Sequence, residues 1–385
     1  MTRRGYDGVV LAAPVTVPYV RYSIRAAHWW LAKAVSKLIS VSGLKKDDLD
    51  GLTVSSFTLA PDTAIGLTQH LGLSPRWLDH VPFGGASGVV ALRRAARAVQ
   101  AGDADVVACI AGDTNHVDSF RLTLANFSQF ARDAVYPYGA GGPNASFAFL
   151  TAHYMKTHGA TREDFGKLCV AQRANALKFD HALFKKPLTL DEYMNARPIA
   201  EPLHLFDCVM PCAGAEGFLV LTQEKAESLK LPYVKLLGTI ERHNAFPSDL
   251  VQMRTIDPAD LYEQAGAGSG DIDFVETYDD YPVISLMQLE DLGFCAKGEG
   301  PAFVRKHSFT WDGSFPLNTS GGQLSVGQAG AAGGFLGMVE AIRQLSGQAA
   351  GRAVRNAKLG LVSGFGMINY DRGLGSGAAI LQKPG

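Results

Sequence analysis

The sequence predicts an α/β protein, and three observations predict it. Short apolar runs alternate with helical patterns through the first third of the chain, as they do in a sheet wound with crossover helices. The run "ADVVACIAG" is apolar almost throughout, which suits a strand covered on both faces. A second round of alternating strand and helix patterns begins at "YVKLLGTIE", so one half repeats the other in architecture, although not in residues.

Taken in order, "GVVLAA" reads as the opening strand, and "SIRAAHWWLAKAVSKLISVSG" as a helix with apolar residues at helical spacing that closes on Gly43. "LDGLTV" is the next strand and "TAIGLTQHLG" the next helix. The stretch from Phe83 to Gly112 builds a glycine-rich turn, a helix and a buried strand. In that helix Val89, Leu92, Ala96 and Val99 share one face, Arg93, Arg94, Arg97 and Gln100 fall elsewhere, and Gly102 supplies the stop. From His116 to Leu205 the pattern loosens into an excursion from the sheet: "YPYGAGGPNAS" as a turn-rich loop, helices over Ala152 to His158 and Arg162 to Lys178, then a Pro-rich connector. "EGFLVLT" returns to a buried strand. In the second round, "IDFVETYDDYPVISLMQLEDLG" gives strand, loop and helix, "GGFLGMVEAIRQLSG" a helix, and "LGLVSGFG" and "GAAILQ" the closing strands.

With 385 residues the chain has room for two or three domain-sized units. Hydrophobic residues at 47% and charged residues at 19% place it among ordinary globular proteins rather than disordered ones. Lys plus Arg (36) nearly cancels Asp plus Glu (37), and no basic stripe with interleaved aromatics tracks phosphates, so nucleic acid is not an expected partner. No run approaches the roughly 20 apolar residues of a membrane span, and the N-terminal apolar run is too short for a signal peptide. A cytoplasmic protein is expected. Five cysteines with no C-x-x-C pair suggest neither a disulfide framework nor a zinc site, and no metal is expected. The glycine-rich "GAGGPNAS" lacks the strand-to-helix context of a dinucleotide fingerprint, and no G-x-S-x-G elbow marks a serine hydrolase.

Seven segments, in order from about residue 43 to the end, carry a resemblance: "GLKKDDLDGL", "GGASGVVALRRAARAVQAGDADVVACIAGD", "THGATREDFGKLCVAQRANALK", "ARPIAEPLHLFDC", "DFVETYDDYPVISLMQLEDLGFCAKGEG", "NTSGGQLSVGQAGAAGG" and "LVSGFG". Together they resemble the thiolase superfamily, and within it the sterol-carrier-protein type and its bacterial lipid-transfer-like relatives. The resemblance implies a five-layered α-β-α-β-α sandwich of two similar halves. The halves would be 1–116 with 206–228, and 229–385, with 117–205 as a loop domain over the active site. It also implies a homodimer, a CoA-thioester substrate that brings coenzyme A with it, no separately bound cofactor, and a possible small OB-fold and zinc-ribbon partner protein.

The same resemblance makes the site unusual. The nucleophilic cysteine of the family's "CASG" turn is Gly85 here, and the histidine of its "GHPxGxxG" motif is Gln328. The second cysteine, in a late "CxG" turn, is Ser363. A helix N-terminus stabilises a thiolate, but no thiol stands there, and glutamine donates a hydrogen bond without serving as a base near neutral pH. The glycine turns around the three positions survive, so a maintained pocket with altered chemistry is expected. Gly85, Ser87, Asn318, Gly322, Gly330 and Gly364 are its expected substrate contacts, although Ser87 also suits a turn or helix cap. Tyr278, in "ETYDDYPV", replaces the asparagine of "NEAF" or the histidine of "HDCF" and adds a phenol able to donate a proton or, at depressed pKa, take one. The other reading of Tyr278 is a polar-tipped core aromatic. Asp279 and Asp280 could orient it or cap the following helix, His116 and His243 read as structural, and Tyr370 follows the late turn. Tyr278, Gln328 and Ser363 are thus the candidate catalytic residues of an enzyme that makes or breaks a C–C bond in a CoA thioester without a covalent acyl-enzyme, with retro-aldol cleavage of a β-hydroxyacyl-CoA as the leading expectation. The alternatives are thiolase-type acyl transfer within a multi-subunit complex and a non-catalytic acyl-CoA or lipid-binding subunit.

Overall fold

The structure, a computed structural model, describes residues 5–116, 130, 133–140, 142–369 and 372–385. Tyr370 and residues 117–129 of the expected loop domain lie outside these. The apolar runs become strands β1 (Val9–Val20), β2 (Gly51–Ser55), β3 (Trp77–His80), β4 (Val106–Asp113), β5 (Pro198–Ala200), β6 (Leu203–His204), β7 (Ala213–Thr222), β8 (Tyr233–His243), β9 (Phe274–Glu276), β10 (Leu359–Asn369) and β11 (Arg372–Gln382). Nine of them order as β3-β2-β4-β7-β1-β8-β11-β10-β9, with β5 and β6 forming a separate pair. In each half parallel strands lie at the outer edge, β2 beside β3 and β4, and β9 beside β10. The halves join where β1 pairs with β8, Val10 opposite Lys235 and Ala12 opposite Tyr233.

Strand alternation divides the core. Leu11, Val107 and Cys109 face helices α3 (Ser87–Ala101) and α9 (Gly333–Leu345), whereas Val10, Val106 and Ala108 face α1 (Ala27–Ser42) and α2 (Ala64–Leu71). In the second half Ala379 and Leu381 turn toward the same central helices. Ala378 and Ile380 turn outward to a core that includes α7 (Pro282–Asp291); helix α6 (Ala259–Ala265) lies against β8 and β11 on this outer side. Helix, strands, paired helices, strands and helix give the five expected layers. The buried stripe of α3, with Val89 and Leu92 sealed from water, contributes roughly 1.5–3 kcal/mol per such side chain.

The predicted helix stops hold for a physical reason. Gly43 and Gly102 both adopt left-handed backbone, and their N–H groups return to carbonyls of the last turn. Two expectations need correction. The helix predicted from Ala152 is α4 (Pro143–His158), which starts inside the supposed loop "YPYGAGGPNAS" because proline at the first helical position forfeits only an orphan N–H. Strand β3 was absent from the prediction; its "WLDH" is short, half-buried and at the edge. Between β4 and β7 the chain also forms α5 (Arg162–Ala176), which packs on α8 (Gly322–Val326) of the second half. No helix among the described residues is long and apolar enough to cross a membrane.

Candidate active site

Three glycine-rich segments meet at the start of α3. Gly84 takes left-handed backbone with φ of 54°, and Ser87 closes the turn, its hydroxyl donating to Val81 O (2.9 Å) and accepting the Phe83 N–H (3.0 Å). A Cβ on Gly364 would stand 2.6 Å from Gly85 O, one on Gly366 2.7 Å from Gly85 N, and one on Gly334 2.6 Å from Gly84 O. The surviving glycines therefore let backbone approach backbone. Gly85 and Gly364, expected as substrate contacts, face each other in this packing.

The space in front of Gly85 belongs to Tyr278. A Cβ at residue 85 would overlap both the Tyr278 ring and the carbonyl oxygen of Phe365. Tyr278 lies in the loop from β9 to α7, and its main chain is held from two sides: its N–H donates to Ser363 O (3.1 Å), and its carbonyl accepts Gln288 Nε2 (2.7 Å). Ser363 Oγ donates to Gln288 Oε1 (2.7 Å). Ser363 thus orients the amide that holds Tyr278, and Gln288 is a site residue that reading the sequence missed. The phenol oxygen accepts Gln328 Nε2 (3.1 Å). Gln328 is fixed in turn by its N–H on Met210 O (2.8 Å) and its carbonyl on the Cys212 N–H (2.9 Å). Burial first, then the neighbouring Asp280, push the phenol well above its ordinary pKa, while the Gln328 hydrogen bond pulls the other way. Tyr278 is a neutral phenol whose oxygen is already served by an amide, which leaves its own hydrogen for an incoming acceptor.

The two aspartates after Tyr278 differ. Asp279 Oδ1 accepts the Gln323 N–H (2.9 Å) and Oδ2 accepts Gln172 Nε2 (3.0 Å). It therefore caps α8, not the following helix α7 as expected, and burial raises its pKa to about 7 against those hydrogen bonds. Asp280 caps no helix among the described residues: it is 9% exposed, the backbone N–H groups of Asp280 and Tyr281 lie against its carboxyl, and its Oδ1 has no hydrogen-bond partner among the described residues. Asn318, at φ of 46°, accepts the Thr277 N–H (2.7 Å) and sends its own N–H to Val275 O (2.9 Å). Tyr278, Asp279, Asn318, Gly322, Gln323 and Ser363 border one narrow cavity, which brings together four of the expected site residues.

Gly330 packs instead on Asp113, where a Cβ would meet the carboxylate. Asp113 accepts the Ala331 N–H (2.7 Å), Ser56 Oγ (2.8 Å) and the N–H groups of Phe57 (2.9 Å) and Thr58 (2.6 Å). The aspartate ending "IAGD" thus ties the end of β4 to the turn after Gln328, a role its sequence position did not reveal. His243 is half-exposed against Phe83, with ring centroids 5.2 Å apart, and beside Glu241 (3.7 Å). His116 is exposed. A wider cleft of about 460 Å³ is lined by Arg173, Leu183, Phe184, Lys185, Lys186 and Phe206. The Leu183 N–H binds Val326 O (2.9 Å), so the cleft adjoins the segment that carries Gln328.

Residues 251–374 match the family described as thiolase C-terminal domain-like. The chain is 32% identical to the steroid side-chain-cleaving aldolase of Thermomonospora curvata, over 82% of this chain and 84% of that one. It is 31% identical to the 17-hydroxy-3-oxo-4-pregnene-20-carboxyl-CoA lyase of Mycobacterium tuberculosis, over 82% and 86%. The solved Ltp2-ChsH2(DUF35) aldolase superposes with a TM-score of 0.85 at 27% identity, covering 98% of both chains. The five layers and the site at their glycine turns define a thiolase-fold enzyme. The chain belongs to the thiolase superfamily, with relatives among its aldolases and lyases.

Proposed function

We propose that this chain cleaves a carbon–carbon bond in a β-hydroxyacyl-CoA by a retro-aldol reaction, with no covalent acyl-enzyme. The observation that carries the reading is the Tyr278 ring in the volume a nucleophile at residue 85 would occupy. Thiolytic acyl transfer needs that nucleophile; a retro-aldol needs a base for the β-hydroxyl and donors for the enolate oxygen. Tyr278 is the principal donor, Gln328 and Ser363 hold it in place, and the cationic cleft beside Gln328 suits the phosphates of coenzyme A. The site gathers residues of the first half (1–116 with 206–228), the excursion (117–205) and the second half (229–385). The chain pairs as a homodimer and works with a small OB-fold and zinc-ribbon partner. The two-component name of the related Ltp2-ChsH2(DUF35) aldolase supports such a partner.

The test is turnover by the protein, alone and with its partner, on a panel of β-hydroxy and β-keto thioesters. Release of a free ketone or aldehyde together with a shortened acyl-CoA is expected. CoA-dependent splitting of a β-ketoacyl-CoA, or an acyl adduct detected by mass spectrometry, would establish acyl transfer instead.

A further inference from the structure

Tyr278 is a neutral donor, and Gln328 and Ser363 do not titrate near neutrality, so the reaction still lacks a group to take the β-hydroxyl proton. Asp280 sits two residues beyond Tyr278 in the same loop. It is nine-tenths buried, caps no helix and makes no ion pair, and its Oδ1 meets no hydrogen-bond donor among the described residues. The backbone N–H groups of Asp280 and Tyr281 lie against the carboxyl, but buried polar atoms are nearly always paired, so an oxygen left open beside the reacting phenol is free to meet a substrate hydroxyl. Its surroundings are Tyr278, Asp279 and Tyr281 on its own loop and Cys208 from the segment before β7, none of them a cation.

We propose that Asp280 is the catalytic base. The inference rests on the retro-aldol reading. The Asp280 carboxylate takes the proton of the β-hydroxyl, the C–O bond becomes C=O, and the Cα–Cβ bond breaks with its electron pair passing into the thioester as an enolate. Tyr278 donates a hydrogen bond to the enolate oxygen. The neutral Asp280 then returns the same proton to Cα, which gives the shortened acyl-CoA and a ketone or aldehyde, and restores the carboxylate with no other reagent consumed. Burial and the adjacent Asp279 raise the pKa of Asp280 well above the ordinary carboxylate range, which makes its anion a stronger base and moves it toward working pH.

The experiment is a profile of kcat/KM from about pH 5 to about pH 9 for the wild type, Asp280→Asn, Asp280→Ala and Tyr278→Phe, with CoA-thioester binding measured in parallel. The wild-type rate should rise with pH as Asp280 ionises. Asp280→Asn should lose ~10²-fold or more together with that rising limb, while binding persists. Added formate should restore part of the rate to Asp280→Ala and none to Tyr278→Phe. An Asp280→Asn protein with wild-type rate and pH profile overturns the inference, as does failure of formate to rescue Asp280→Ala. A wild type that releases no carbonyl product from any thioester sinks the retro-aldol reading itself, which keeps the two failures distinct.

Discussion

At residue 85 any side chain has to grow into the Tyr278 ring and the Phe365 carbonyl oxygen, so the missing nucleophile and the added phenol are one structural fact. Gly85→Cys should not simply return a thiol to the helix terminus. Overpacking of this kind typically costs on the order of 1–3 kcal/mol, and a lower denaturation midpoint with no CoA-dependent thiolysis is the expected result. Efficient thiolysis would show that the Tyr278 ring swings away freely. Tyr278→Phe keeps the ring and removes the donor, so turnover should fall ~10²–10⁴-fold with thioester binding largely intact. At this scale the sequence was legible where chemistry is local. Tyr278, Gln328 and Ser363 could be named because each lies in a recognisable turn, whereas the overlap of residues 85 and 278 exists only once two distant segments are packed. Gln288 and Asp113 escaped notice for the same reason, since a polar residue in a helix or at a strand end shows its partners only in the fold.

Asp113 gathers N–H groups from the loop after β2 and from the turn after Gln328, so a single carboxylate sets one element against another. Asp113→Ala should leave buried donors unpaired, each costing about 1–3 kcal/mol. It should lower both the denaturation midpoint and kcat, read from unfolding curves and steady-state rates, because the turn that holds Gln328 loses its anchor. A variant with wild-type kcat would show that the turn holds its shape without the carboxylate. Most elements were readable in advance because their signals are local: the period of the apolar residues, and glycines that end helices by adopting left-handed backbone. Strand β3 was not, since two of its four residues are polar and an edge position needs no apolar alternation. The start of α4 was hidden because Gly142-Pro143 suits a loop and a helix N-terminus equally well.

Across the whole molecule the halves are also joined by buried charge. Glu216 of β7 accepts Thr16 Oγ1 (2.7 Å) and Tyr19 OH (3.0 Å) of β1, and Arg343 of α9 donates to Thr16 (2.7 Å). Glu340 of α9 is held by Arg352 (2.7 and 2.9 Å), which draws its pKa down against burial, while burial and the Glu340 charge push Glu276 up. Burial lifts Glu216 from 4.5 to about 7, so between those pH values the folded state binds more protons than the unfolded one, and stability falls as pH rises. Glu216→Gln should flatten that fall, by on the order of 3 kcal/mol across the window, measured by denaturant unfolding at a series of pH values. An unchanged slope would show that Glu216 is ionised throughout. The sequence revealed two halves by repeating a pattern, but not this seam, because the repeat is one of architecture and the charges that join the halves belong to neither pattern. The overlap at residue 85 also makes the two groups alternative occupants of one volume. A side chain there and the Tyr278 ring exclude each other in this packing, so a single substitution at either position does not exchange one chemistry for the other, and both positions have to change together.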